Sequence, residues 1–142
     1  MKEFLVKAKQ HFFNDSLVGY PVFNEKGDRA FVMFDYESKL YEVDIETVSR
    51  YTGYTDSDDF PIFENDIVNA YVGSDVIRLV AKNFYGHYVF EDMATHKLVN
   101  FYSYKLTMNT GETIFTTRKW CDEQKYILPK NQKGKGKKIC LY

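Results

Sequence analysis

Short runs of Val, Ile, Tyr and Phe return along this 142-residue chain at intervals of roughly ten residues, separated by clusters of Gly, Asn and Asp. That cadence constrains the fold more than any other feature, because it leaves no room for long helices. LVGYPVF and RAFVMFDY flank NEKGD, and DIVNAYV and VIRLVAKNF flank Gly73-Ser74-Asp75. HYVFED and KLVNFYSYKLTM flank Met93-Ala94-Thr95-His96, and TIFTTRKW follows a turn at Asn109-Thr110-Gly111-Glu112. The expected class is mainly β, a small antiparallel barrel or curled sheet. Within VIRLVAKNF, Ile77, Leu79 and Ala81 should face inward, with Arg78 and Lys82 toward water. One helix is expected, at the N-terminus, where Leu5, Ala8 and Phe12 share a helical face before Asn14-Asp15-Ser16 ends it. KLYEVDIETV reads as a further strand, although DIETV also suits a brief helical turn.

The length suits one domain. We assign residues 1 to 128 to a single β-rich domain and 129 to 142, PKNQKGKGKKICLY, to a basic tail. With 44% apolar and 18% aromatic residues there is material for a core, which argues against a disordered chain. Net charge is −1 and the sequence pI is near 6.3, so no general attraction to polyanions or membranes is expected. The charge is nevertheless segregated. Only Lys39 and Arg50 oppose the acids from Asp35 to Asp66, whereas Lys130 to Lys138 holds five lysines and no acid. Cys121 and Cys140 have no C-x-x-C spacing and read as free thiols of a reducing compartment. MKEFLVKAKQHFF is too interrupted by charge to be a signal peptide or a membrane span, so the expected location is cytoplasmic.

The densest signal is RYTGYTDSDDFPIFENDIV, residues 50 to 68. Asp56-Ser57-Asp58-Asp59 invites comparison with a calcium loop, but the match fails. Counted from Asp56, Pro61 stands where glycine is required and Ile67 where a bidentate glutamate belongs. A structural reading fits better: Gly53 supplies a left-handed exit from a strand at Val48–Thr52, Asp residues favour the turn, and Pro61 fixes the backbone before the next strand. Ile62, Ile67 and Val68 are then the buried members.

This stretch resembles the signature Y-T-G-L-x-D-x-x-G-x-x-I-[YF]-E-G-D-I-V of the YopX proteins of bacteriophages and prophages. Tyr51, Thr52, Gly53, Asp56, Ile62, Phe63, Glu64, Asp66, Ile67 and Val68 stand at matching positions, and the likeness extends from Lys39 to about Tyr71. Two glycines of the pattern are replaced, by Asp59 and Asn65. Both are types that tolerate a left-handed backbone, so the turn geometry should survive. The resemblance implies a β-rich barrel-like fold and a mobile-element origin, with no established activity.

Catalytic constellations are weak. Glu64 and Asp66, two apart, would share a face of a strand and suit a divalent ion or acid/base work, but more simply describe a solvated strand entry. Asp35, Glu37 and Lys39 have the alternation used by magnesium nucleases, helped in that reading by Glu64 and Asp66, yet sit where a hairpin tip is expected. His11, His87 and His96 are scattered, Cys121 beside Trp120 has no adjacent base in sequence, and there is no glycine-rich phosphate loop. Hence no cofactor, metal or enzyme activity is expected. The chain instead reads as a phage or prophage binding module that occupies a host or phage macromolecule, for example to inhibit a host defence such as a CRISPR nuclease. Its expected surface is Asp56, Asp58, Asp59, Glu64 and Asp66, carboxylates that could enter a basic channel, with exposed tyrosines adding contact area. The alternative is nucleic-acid binding by Lys130, Lys133, Lys135, Lys137 and Lys138 of the tail.

Overall fold

The structure is a computed structural model and describes residues 4–34 and 39–116. Asp35, Glu37, Cys121, Cys140 and the lysine-rich tail lie outside those residues. The strands are β1 Val6–Lys9, β2 Ser16–Phe23, β3 Ala30–Met33, β4 Leu40–Val43, β5 Ser49–Thr55, β6 Pro61–Phe63, β7 Asp66–Val72, β8 Asp75–Phe84, β9 His87–Asp92, β10 Leu98–Asn100 and β11 Thr107–Thr113. The expected mainly β class is what the described residues adopt, as antiparallel, curled sheet, and among them no sheet closes into a barrel. Two compact units share the strands, residues 4–49 and residues 50–114. Among the described residues no helix is long and apolar enough to cross a membrane.

In residues 4–49, β4, β3, β2 and β1 form an antiparallel meander in that order. The NEKGD connection makes the expected hairpin: Gly27 takes φ 73° and Asn24 Oδ1 accepts from the Arg29 N–H at 3.0 Å. Gly19 lets β2 lie close on β3, since a Cβ there would come within 2.6 Å of the Met33 carbonyl oxygen and of Val32. The meander curls until its outer strands meet at one corner, where Gln10 bridges Val43 and the Asp44 N–H donates to the Lys9 carbonyl. Val6, Ala8, Ala30, Val32 and Val43 form the core of this unit.

The N-terminal helix expected from Leu5, Ala8 and Phe12 is not formed. Val6 and Ala8 alternate onto the core instead, and pairing with Gly19 and Leu17 of β2 satisfies the backbone that a helix would have satisfied internally. Phe12 sits in a turn at φ 67°. DIETV, left open between strand and a brief helical turn with strand favoured, takes the turn: it is a 3-10 turn over Ile45–Thr47, closed by Thr47 N–H on the Asp44 carbonyl at 2.9 Å.

The second face of β1 is also covered, which places Lys9 at 1% exposure. Its ammonium lies 2.7 Å from Asp44 Oδ2, and Asp44 Oδ1 lies 2.6 Å from His11 Nδ1. Removing one partner of a buried pair leaves the other charge in a poor solvent. Asp44→Ala should therefore cost about 3–5 kcal/mol in urea unfolding, and Lys9→Met clearly less, since the Asp44 carboxylate left behind is partly exposed and keeps His11 as a partner. Equal losses for the two would contradict this description.

In residues 50–114 the sheet order is β10, β9, β8, β7, β11, all antiparallel. Gly73-Ser74 joins β7 to β8 as expected, and the turn expected at Met93–His96 joins β9 to β10 together with Lys97. Leu79 and Ala81 are buried, Ile77 packs on the same core, Arg78 is exposed and Lys82 pairs with Glu91 at 3.0 Å. The core is completed by Ile62, Val68, Ala70, Phe90 and Phe101. Beside this sheet, β5 and β6 pair as a hairpin in which Gly53, at φ 85°, makes a bulge inside β5 and not the exit from it.

Asn109–Glu112, expected as a turn between strands, is likewise a bulge, within β11 and with Gly111 at φ 82°. TIFTTRKW does not follow as a strand over its described part: Ile114 and Phe115 are in a turn, and residues from 117 onward lie outside the described residues.

Candidate functional site

Residues 50–68 fold into a turn in which two of the five carboxylates, Asp56 and Asp66, are buried. After β5 the chain reverses through Asp56–Phe60: the Asp56 N–H donates to the Phe60 carbonyl at 2.9 Å, and the Asp59 N–H to the Asp56 carbonyl at 3.1 Å. Asp56 Oδ1 accepts from the N–H groups of Asp58 and Phe60 at 2.9 and 3.0 Å, while Oδ2 accepts from the Asn109 N–H at 2.7 Å. Asp66 Oδ2 accepts from the Phe63 N–H and from Asn109 Nδ2, both at 2.8 Å. Glu64 Oε1 accepts from the Arg50 N–H at 3.1 Å. Asp59 and Asn65 take φ 65° and 70°, the left-handed geometry their residue types were expected to tolerate.

The five carboxylates expected to form an acidic surface lie in different surroundings. Asp56 and Asp66 are buried and spent on backbone amides and Asn109; Glu64 is half-buried; Asp58 and Asp59 alone stand exposed. Burial follows from the hydrogen-bonding need of the turn, whose N–H groups require acceptors once the chain closes over them. Glu64 and Asp66 do not form an ion-binding pair on one strand face, because Asn65 turns the chain between them and each carboxylate faces a different donor. Ile62, Ile67 and Val68 are buried, as expected.

The other candidates are dispersed. His11 pairs with Asp44, His96 with Glu91 at 2.9 Å, and His87 is exposed. Lys39 lies over the Tyr41 ring at 5.0 Å, while Asp35 and Glu37 fall outside the described residues, as do Lys130, Lys133, Lys135, Lys137 and Lys138. Among the described residues no three His, Cys, Asp or Glu side chains gather as a metal group.

What the turn does support is a cleft of about 220 Å³ within residues 50–114, lined by Thr55, Asp56 and Ser57 on one side and by Phe101, Tyr102, Tyr104 and Lys105 on the other, with Tyr54 between. The two rims are tied together where Ser57 N–H donates to the Thr107 carbonyl and Thr107 N–H to Ser57 Oγ, both at 2.9 Å. Asn100 Oδ1 accepts from the Tyr102 N–H at 2.9 Å and sets the turn that follows β10. That turn sends Phe101 inward, stacked on Phe90 at 4.1 Å, and leaves Tyr102 outward at 78% exposure. Tyr54 bridges the two rings, 4.6 Å from Phe101 and 5.4 Å edge-on to Tyr102. Desolvation, followed by its hydrogen bond with Tyr54, pushes the Tyr102 hydroxyl above the usual tyrosine pKa.

The sequence reading missed Asn109 and this aromatic cluster. Asn109 looked like an ordinary turn residue, and its partners lie 43 and 53 residues away. The cluster had a signal: adjacent aromatics in NFYSY break strict strand alternation and place rings on both sides of the chain.

Comparisons with protein-family models, with curated proteins and with solved structures found no match.

The inward carboxylates generate a contrast in stability. Asp56→Ala and Asp66→Ala should each lower unfolding free energy by about 3 kcal/mol, because each strands buried N–H donors of a charge-assisted bond. Asp58→Asn should change it by less than about 0.5 kcal/mol. Asp59→Val should cost about 1–2 kcal/mol through its left-handed backbone, and Asp59→Gly should not. Urea titration of the four variants decides the matter, and similar values for Asp56 and Asp58 would refute the assignment.

Proposed function

We propose that the protein is a non-enzymatic binding module of a bacteriophage or prophage, working in the cytoplasm of the bacterial cell by occupying a host or phage macromolecule. The observation that carries this reading is the division of labour within residues 50–114. The carboxylates best placed to look catalytic are consumed in holding the turn, while Tyr102 stands exposed at a cleft that Tyr54 and Tyr104 also line, and Asp58 and Asp59 of the turn are exposed. Tyrosine offers large contact area at low entropic cost, and carboxylates at a rim set register and steer encounter. The likeness to the YopX signature supports the phage or prophage origin, and inhibition of a host defence nuclease such as a CRISPR effector is a concrete form of the activity.

The test is affinity capture from host lysate with the full chain, its Tyr102→Ala variant and an Asp58→Asn, Asp59→Asn double variant, none of which removes a buried bond of the turn. Stoichiometric retention of one protein, lost with Tyr102→Ala and weakened by the double variant, is the expected result. Retention indifferent to all three changes, or no specific retention at all, would count against the reading.

A further inference from the structure

The β8–β9 hairpin runs on past the strands on either side of it. β7 pairs with β8 no further than Ile67 with Val80, and β10 with β9 no further than Asn100 with Val89. The last two pairs, Asn83 with Tyr88 and Phe84 with His87, have no flanking strand among the described residues. A two-residue loop, Tyr85-Gly86, closes this finger with φ 50° and 88°. Positive φ at both loop positions is what the type I′ turn requires, and Asn, Asp or Gly ordinarily meet it. Tyrosine is disfavoured there, because its Cβ crowds the following carbonyl. The Gly86 N–H donates to Asn83 Oδ1 at 2.9 Å and helps to hold the loop. The ring carried on this backbone is not used in the core: Tyr85 is 89% exposed, and its aromatic neighbour is Phe84, edge-on at 4.6 Å and itself exposed.

Resting on the binding-module reading, we propose that Tyr85, backed by Phe84, is an anchor that enters an apolar pocket on a partner protein. The chemistry of the tip chooses among partners. Asn83 to His87 contain no carboxylate, lysine or arginine, and the adjoining ammonium, Lys82, is paired with Glu91 at 3.0 Å. A nucleic acid or an anionic lipid surface needs cations that this tip lacks, and a basic channel needs carboxylates. An uncharged pocket in a protein suits the two rings, and aromatic side chains seated in such pockets dominate the energy of many interfaces. The turn and Phe84 fix the direction of the Tyr85 ring beforehand, so little freedom is lost when it docks. Backbone held in a disfavoured conformation is also concentrated where ligands are gripped.

The experiment places the photoreactive amino acid p-benzoylphenylalanine at position 85 of the full chain and, as a control, at position 76, where Val76 is 52% exposed at the other end of β8. Both proteins are irradiated in bacterial host lysate. One protein adduct is expected at position 85 alone, mapped by mass spectrometry to the apolar residues of a pocket. Excess unsubstituted chain should suppress it and excess Tyr85→Asn should not. Asparagine accepts the positive φ, so Tyr85→Asn should melt no lower than the unsubstituted chain while its affinity for that protein falls at least about tenfold. No competed adduct, an adduct on a charged surface, or equal competition by Tyr85→Asn would overturn the assignment. So would Tyr85-dependent sedimentation with phosphatidylcholine vesicles, which would make the partner a lipid. Capture lost with Tyr102→Ala but unchanged with Tyr85→Asn would remove the anchor and leave the binding module standing.

Discussion

Asn109 joins three parts of the chain that have no covalent reason to be adjacent. Its backbone N–H is accepted by Asp56, its side-chain amide by Asp66 and, at 3.2 Å, by the Pro61 carbonyl. Each bond pairs a polar group in a largely enclosed joint, and two of the three acceptors are carboxylates. The bulge in β11 is part of the same arrangement. Thr110 Oγ1 donates to the Ile67 carbonyl at 2.7 Å and Gly111 N–H to Asn109 Oδ1 at 3.0 Å, so the extra residues turn the Asn109 amide toward the acidic turn.

The consequence reaches the cleft. With Asp56 held from both ends, Ser57 can pair with Thr107, and the turn becomes a fixed wall for Tyr54 and Tyr102. Acidic residues thus serve two purposes in one stretch of sequence: Asp56 and Asp66 accept N–H groups within the joint, and Asp58 and Asp59 remain exposed on the turn. A surface built on a rigid hydrogen-bonded frame would lose little entropy on binding, as the proposed binding module requires.

Much of the fold was legible in the chain. Asn24 and Gly27 announced a hairpin, Gly73-Ser74 another, and Leu79 and Ala81 sorted themselves inward by alternation. The left-handed turns at Asp59 and Asn65 were legible because few residue types occupy that region readily. The N-terminal segment was not, since Ala8 satisfies both a helical and a strand period and only the presence of β2 decides between them. The inward course of Asp56 and Asp66 was hidden for a related reason: a carboxylate in a turn looks the same in sequence whether it meets water or an amide from a strand some 50 residues later. Tyr102 could not be told from its core neighbours because exposure depends on the turn that Asn100 caps.

The central claim is that the acidic stretch is a structural joint centred on Asn109, and amide hydrogen exchange tests it most directly. In the unsubstituted protein the N–H groups of Asp58, Phe60, Phe63 and Asn109 should exchange slowly, since all four donate to the Asp56 or Asp66 carboxylate. In Asn109→Ala, where the side-chain link to Asp66 and Pro61 is gone, protection at Phe63 should fall most, while amides of the β8–β9 ladder keep theirs. Fast exchange at Asp58, Phe60 and Phe63 in the unsubstituted protein would show that the carboxylates face water, and the account would be wrong.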